Sequence, residues 1–380
     1  MAAAGATLLY PLTDLAVMWF LDVFAHIVTF IRLILQADRH FRDTRPDAVI
    51  VVDYPGLHWW IIRRAKARGI PVFYYVPPQL WAWAGWRVAK VRRFVDLVLC
   101  SLPFEPSWYR ARGVSNVVYV GHPYFDELHE RELNQEFLEL QRARPEPLVA
   151  ILPGSRTKEI TRNLPILLRA AEKLADRFPH VRFAVACLHD RHKTLAERIL
   201  QDQSRRRGGG KTAAVEVEAG RTGELIRAAT VAWAVSGSVS LELMMEALPT
   251  VILYKVNRFD LAIARPFIKA RFITLVNLLA NAELMPEYLT EHDVSDELAV
   301  WARTWLENPP ARARAIANLA ALRHEVAQPG ASTRAAEQIE QWFQRRLRGQ
   351  QGDSSTYRGL HGRPAASAVD SAAEPRSAPL

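Results

Sequence analysis

The chain has 380 residues, of which 49% are hydrophobic and 23% charged, a globular composition whose length suggests two domains. A formal charge of +9 and an isoelectric point near 9.7 suit nucleic acid, anionic lipid or a phosphate-bearing substrate equally, so charge alone does not choose among them. Two cysteines, Cys100 and Cys187, lie inside apolar runs; they exclude a disulfide framework and point to a reducing, cytoplasmic compartment.

The first long apolar segment, Leu15 to Leu35, is about long enough to span a bilayer. Asp22, His26 and Arg32 interrupt it, and an ionisable group at mid-bilayer costs roughly 2.5–3.5 kcal/mol even on lenient scales. No basic segment precedes it and no small-residue cleavage site follows, which argues against a signal peptide. Two readings stay open: a core helix with one wet edge, or an apolar surface helix dipping into a membrane interface.

Beyond it one theme repeats, a short β-branched run, a polar or glycine turn, then a helix. Strands are expected at Ala48–Asp53, Val72–Val76, Leu97–Cys100 and Val117–Val120, then at Val149–Leu152, Arg182–Ala186, Val215–Val217, Val231–Val235 and Val251–Tyr254. Their apolar runs are continuous rather than alternating, as in parallel strands covered on both faces. Helical patterns such as Lys158–Arg177 and Leu241–Ala247 fall between them, so the expected architecture is α/β with two Rossmann-like, doubly wound domains. The boundaries follow composition: residues 1–145 form the first domain, closed by the charged stretch Leu128–Pro147, and residues 146–327 form the second. Residues 328–348 form a C-terminal segment expected to pack back on the N-terminal domain or a partner, in which Gln328-Pro329-Gly330-Ala331-Ser332 reads as a stop and an N-cap that open a helix from Thr333 to about Arg348; residues 349–380 are a Gly/Ser/Ala/Pro-rich tail expected to be disordered.

Four loops in this order could carry chemistry. Val51-Val52-Asp53-Tyr54-Pro55-Gly56 puts an acid at the carboxyl end of a parallel strand, where it can serve as a general base or cap the following helix. Tyr74 to Trp86 is too rich in tryptophan for an ordinary exposed loop; it reads as core packing, an acyl-chain wall or a membrane-facing rim. Leu152-Pro153-Gly154-Ser155-Arg156 joins a strand to a helix, with a glycine for close approach and a guanidinium suited to phosphate, or is an ordinary turn. Ser236-Gly237-Ser238-Val239-Ser240-Leu241-Glu242 repeats that arrangement; Glu242 can accept ribose hydroxyls or simply complement the helix dipole. His189-Asp190-Arg191-His192 lacks metal-site spacing and reads as a surface loop. Nothing supports nucleic-acid recognition.

Taken in order, Tyr75-Val76-Pro77-Pro78-Gln79-Leu80-Trp81-Ala82-Trp83, Leu102-Pro103-Phe104-Glu105, Gly121-His122-Pro123, Leu152 to Arg156 with Glu159, Ser236-Gly237 with Leu241-Glu242, and Asn277-Leu278-Leu279-Ala280 with Glu283 resemble the motifs of lipid-A-disaccharide synthases. The resemblance covers roughly Leu9 to Trp342. It implies a GT-B fold and an inverting transfer from UDP-2,3-diacylglucosamine to 2,3-diacylglucosamine 1-phosphate, with UDP released and neither cofactor nor metal. By carry-over, Asp53 matches the family's proposed base, and Arg156, Ser236, Gly237, Glu242 and Asn277 match positions that hold the nucleotide. The resemblance also implies peripheral association with the anionic inner-membrane surface and an intertwined homodimer. Three departures stand out. Met1 to Met18 resembles a segment that normally follows a first βαβ unit with a glycine-rich acidic loop, so the N-terminal domain is expected to be incomplete and neighbouring strands exposed. Gly56 replaces the family's second aspartate, and Val276 a proline. Competing readings are a UDP-sugar 2-epimerase on the same fold plan, and a non-catalytic paralogue that binds nucleotide or membrane.

Overall fold

The computed structural model describes residues 4–10, 27–206, 213–256 and 271–358. The first of two compact units runs to Thr333 and holds two separate parallel sheets. Helix α1 (Ile27–Thr44) precedes the four-stranded sheet β1 (Val49–Val52), β2 (Val72–Tyr75), β3 (Leu97–Cys100) and β4 (Val117–Tyr119), ordered β1-β2-β3-β4. Between its strands lie α2 (Pro55–Ala67), the short α3 (Leu80–Trp83), a 3-10 turn over Gly85–Arg87, α4 (Val88–Phe94) and α5 (Glu105–Arg110). Two helices, α6 (Tyr124–Glu130) and α7 (Gln135–Arg142), lead to the second sheet.

That sheet has six strands, β5 (Leu148–Leu152), β6 (Arg182–Cys187), β7 (Val215–Ala219), β8 (Val231–Val235), β9 (Thr250–Lys255) and β10 (Glu287–Thr290), ordered β10-β9-β8-β5-β6-β7. The helices that return the chain are α8 (Thr157–Arg177), α9 (Asp190–Arg206), α10 (Thr222–Ala228), α11 (Val239–Met245) and α12 (Leu275–Ala280), then α13 (Ser295–Glu307) and α14 (Pro309–Val326). Every strand pairing in both sheets is parallel. The continuous apolar runs have the expected cause: β5, β6 and β8 are buried along their whole length, with helices covering both faces. On the first sheet's edge strand β1 the pattern changes, since Ile50 and Val52 are exposed while Val51 is buried.

Several local expectations are corrected. The stretch His189-Asp190-Arg191-His192 is not a surface loop: Asp190 opens α9, an acid favoured by the helix dipole, and His192 is turned inward and buried. Burial, with Arg191 and His189 nearby, holds the His192 imidazole below its ordinary pKa. The final helix, α15, spans Ala331–Arg358, so it starts before Thr333 and runs ten residues past Arg348, through Gly349 and Gly352. Ser332 is not its cap. The Asp126 carboxylate, far away in sequence, accepts the Gly330, Ala331 and Ser332 N–H groups at 2.6, 3.1 and 2.9 Å. Burial opposes this charge, but the three donors prevail and hold the Asp126 carboxyl below the usual carboxylate range. The second compact unit, from Arg334, continues this helix; the tail beyond Arg358 lies outside the described residues.

Of the apolar N-terminal segment, Leu15 to His26 also lies outside the described residues. In α1, Leu33 and Phe41 are buried whereas Ile27, Val28, Ile31 and Leu35 are exposed. Those four recur at i, i+1, i+4 and i+8, so one apolar stripe faces outward. No helix among the described residues is long and apolar enough to cross a membrane.

Candidate active site

The order of the second sheet locates the site. From β5 the chain winds outward through β6 and β7; it then returns to β8, on the other side of β5, and winds away through β9 and β10. The topological switch point therefore lies between β5 and β8, and in open α/β sheets ligands bind outside the carboxyl ends of the strands at such a point. A cavity of about 770 Å³ opens there, within the range that takes a nucleotide-sized ligand. Its floor is made by the ends of β5, β6 and β8 at Leu152, Ala186 and Val235. Its walls are Gly154–Arg156, Gly220–Glu224 without Arg221, Ser236–Val239, and residues from Tyr124 to Leu133.

The loop after β5 is built around one carboxylate. Glu159 Oε2 accepts the Ser155 and Arg156 N–H groups at 3.0 and 3.3 Å, and its Oε1 accepts from Arg156 Nη1 at 2.8 Å. Gly154 has φ +114°, and a Cβ there would sit 2.6 Å from both Cβ and Oε2 of Glu159. Only glycine fits, for backbone and for space. Arg156 is half exposed at the rim. After β8, the Ser236 hydroxyl donates to the Ile273 carbonyl at 2.9 Å, and Gly237 faces open space.

Glu242 is nearly buried and its carboxylate is already engaged. Arg131 Nη1 donates to Oε1 at 2.6 Å and the Tyr124 hydroxyl to Oε2 at 2.9 Å. Burial pushes the Glu242 carboxyl up, while Arg131 and Tyr124 pull it back. Gly223 makes room for the pair, since a Cβ there would approach Leu133 Cδ2 to 2.7 Å and crowd both Glu242 and Arg131. Glu224 ties the same wall to α7 by accepting the Asn134 N–H at 2.9 Å.

Asn277 does not line this cavity. It is fully buried and its amide is saturated: Nδ2 donates to Met285 O and Glu287 Oε2, and Oδ1 accepts from Leu284 N and Met285 N. Glu287 also accepts the Ile273 and Thr274 N–H groups, so Asn277 fixes the segment whose Ile273 carbonyl receives Ser236.

Asp53 stands at the carboxyl end of the other sheet. It and Tyr54 have φ +46° and +44°, and Val76, just past the neighbouring strand, has φ +48°. Such left-handed non-glycine residues are strained and cluster at functional sites. The Asp53 carbonyl accepts from His58 Nδ1–H at 2.7 Å and the Tyr74 hydroxyl at 3.0 Å, which locks the turn. Burial holds His58 below its ordinary pKa, against the opposing pull of Asp53. The Asp53 side chain is exposed and accepts no hydrogen bond from any described residue. The reading of Asp53 as a helix cap is not found: Tyr54 is the N-cap of α2, and no side chain caps it.

Sequence reasoning overlooked Tyr124, Arg131, Gly223 and Glu287. The first two fall in and beside a charged stretch that read as a linker, and the other two show no local motif. Among the described residues no cluster of His, Cys, Asp or Glu is arranged to hold a metal ion.

Residues 1–341 match the model of the family described as lipid-A-disaccharide synthetase. The chain belongs to that family. It is 34% identical to the lipid-A-disaccharide synthase of Myxococcus xanthus over 343 residues, covering 89% of this chain and 86% of that one. Similarity to the synthase of Anaeromyxobacter dehalogenans is 33% over 338 residues, covering 88% and 86%. The fold is shared with UDP-GlcNAc 2-epimerase of Neisseria meningitidis (TM-score 0.56, 12% identity, 82% of this chain and 81% of that chain). It is also shared with trehalose-6-phosphate synthase OtsA (TM-score 0.51, 10% identity, 85% and 78%). These distant likenesses establish the two-Rossmann GT-B architecture.

Proposed function

We propose that this chain is an inverting glycosyltransferase that joins UDP-2,3-diacylglucosamine to 2,3-diacylglucosamine 1-phosphate and releases UDP. The observation that carries the reading is the cavity at the switch point of the second sheet, together with membership of the synthetase family. In this reading the diphosphate lies against the Ser236–Gly237–Ser238 loop and the rim guanidinium of Arg156, and Glu242 accepts ribose hydroxyls. Asn277 acts from behind, as a positioning residue for that wall.

The acceptor hydroxyl oxygen attacks the anomeric carbon while the bond from that carbon to the diphosphate oxygen breaks. The electron pair leaves with UDP, and the hydroxyl proton passes to the Asp53 carboxylate. An exposed carboxylate with unused lone pairs, on a turn locked through its own carbonyl, suits that task. Arg156 and loop N–H groups would stabilise the charge that develops on the diphosphate. The exposed stripe of α1 supports peripheral work at a membrane, on the cytoplasmic side to which the two free cysteines point. Family resemblance supports a homodimer, which light scattering on the purified chain tests.

The decisive assay is UDP release in detergent micelles with both lipid substrates, with and without the acceptor. Acceptor-dependent release is expected. Asp53→Asn should lower turnover by at least about 100-fold, the low end for loss of a general base, with UDP affinity unchanged. Release that does not need the acceptor, or full turnover in Asp53→Asn, would remove this mechanism.

A further inference from the structure

We propose that Glu105 is a positioning residue for the acceptor: its ionised carboxylate fastens the turn after β2 to the turn after β3, beside Asp53. The inference rests on the proposed function in taking the carboxyl edge of the first sheet as the acceptor's side.

Glu105 is the first residue of α5 and is completely buried. A carboxylate taken out of water is costly unless its lone pairs are satisfied, and Glu105 forms no salt bridge among the described residues. Three N–H groups satisfy it instead. Oε2 accepts from the Ser101 and Leu102 backbone at 3.1 and 3.0 Å, and Oε1 accepts from the Trp81 indole at 3.1 Å. Trp81 lies on α3, in the connection after β2, and its ring meets Phe104 edge-on at 5.0 Å. The two backbone donors alone would shape the turn after β3; the indole brings in a second, separate loop. Three converging donors suit a group that only accepts, which is the ionised form of glutamate.

The sheet brings these turns to Asp53. Val52 stands opposite Tyr75, and Tyr75 opposite Leu99, so Asp53 and the turns after β2 and β3 leave one edge side by side. The Asp53 N–H reaches the Tyr75 carbonyl at 3.4 Å, and the Val76 N–H reaches that of Leu99 at 3.1 Å. Val76, with φ +48°, is strained, and such a conformation persists only where its surroundings hold it. Trp81 on Glu105 is one such hold.

The contact responds to pH. Burial raises the Glu105 carboxyl to about 7, against the pull of its three donors. Around it, Cys100 on β3, Tyr109 on α5 and Tyr74 on β2 are pushed far up by burial, so none of them changes charge near neutrality. Arg110 on α5 gives its Nη2 to the Val117 carbonyl at 2.9 Å. A proton on Glu105 goes to Oε1, which holds one donor, rather than to Oε2, which holds two. It then opposes the Trp81 N–H, so the turn after β2 loses its anchor while the turn after β3 keeps its own.

The test is calorimetric titration of the full chain with 2,3-diacylglucosamine 1-phosphate in detergent micelles at pH 6 and pH 8, with UDP as control ligand. With a carboxyl at about 7, roughly a tenth of the protein is ionised there at pH 6, so apparent acceptor affinity falls about tenfold from pH 8. The acceptor's phosphate titrates nearby, so the comparison with Glu105→Gln decides. The wild-type advantage over that variant should shrink about tenfold from pH 8 to pH 6. Trp81→Phe keeps the buried carboxylate and its backbone donors but has no N–H to give, and its profile should flatten in the same way. UDP affinity should be equal in all three proteins. Parallel acceptor profiles, or UDP affinity lost in step with acceptor affinity, would overturn the proposal, as would a wild type that does not bind acceptor at pH 8. Acceptor binding without acceptor-dependent UDP release would count against the glycosyltransferase reading and leave the role of Glu105 standing.

Discussion

Replacing Arg131 by methionine strips the strongest partner from a carboxylate that has little access to water. The Glu242 side chain is 7% exposed, and its Oε1 meets Arg131 Nη1 at 2.6 Å. Removing one member of a fully buried pair costs about 3–5 kcal/mol. Here the Tyr124 hydroxyl remains on Oε2 and Arg131 itself is 28% exposed, so the expected loss is smaller, about 2–3 kcal/mol. In a protein of this size that lowers the melting temperature by about 2–4 °C. The pH dependence identifies the cause. Burial already raises the Glu242 carboxyl above its ordinary 4.5, and loss of Arg131 raises it further. A carboxyl whose pKa is higher folded than unfolded favours the native state at low pH, and that contribution is lost as pH rises from the unfolded value through the folded one. Thermal unfolding followed by near-UV circular dichroism should therefore show the largest deficit of Arg131→Met near pH 8, shrinking toward pH 5. A deficit that is constant with pH, or that widens on acidification, would mean Glu242 does not depend on Arg131 for its charge.

Three further outcomes follow from the same geometry. Gly154→Ala should destabilise the chain by about 1–3 kcal/mol and weaken UDP binding, because φ +114° and the 2.6 Å approach to Glu159 leave no place for a methyl group. Gly237→Ala, whose methyl meets nothing within 4 Å, should weaken UDP binding in calorimetry with no change in melting temperature; unaltered affinity would take that loop out of the diphosphate site. Asp126→Ala should cost about 1–2 kcal/mol by orphaning the three N–H groups at the start of α15, with the difference from wild type vanishing in strong acid, where Asp126 is protonated anyway.

How far the sequence disclosed this structure depended on whether a signal was local. Nine of the strands were legible from their β-branched runs; β5, β6 and β8 are continuously apolar because they are buried throughout between two helical layers, whereas β1 is partly exposed and β7, Val-Glu-Val-Glu-Ala, is half-buried and alternates. The tenth, Glu287–Thr290, was missed: it is short, half-buried along its length and at the sheet edge, so Glu-Tyr-Leu-Thr carries no such run. The Gly-Ser-Arg and Ser-Gly-Ser loops were legible because glycine at a strand-to-helix turn has a local steric reason, realised at Gly154. Long-range partnerships were not. Nothing near Ser332 announces that Asp126 caps its helix, and nothing near Glu242 announces Arg131, 111 residues earlier in the chain.

Net charge was the least legible feature, and the structure shows why. Among the described residues the cavity is lined by two arginines, Arg131 and Arg156, and by five carboxylates, Glu127, Glu132, Glu159, Glu224 and Glu242. Both arginines are already paired, with Glu242 and Glu159. Among the described lining residues there is thus no excess of positive charge to draw a diphosphate in, although the whole chain carries +9. Affinity there has to come from directed donors, the loop N–H groups and an Arg156 that exchanges Glu159 for phosphate, and such short-range contacts are weakly screened. Cations that form no salt bridge among the described residues lie instead between Asp53 and Asp96, around the tryptophans, where Lys66 and Arg68 alone of that segment's cations are so paired. One overall charge thus conceals two electrostatic regimes, and salt should separate them: UDP affinity should change little with ionic strength, whereas adsorption to anionic vesicles should fall steeply. A UDP affinity as salt-sensitive as vesicle binding would show that the arginine–carboxylate pairs do not set the field of the cavity.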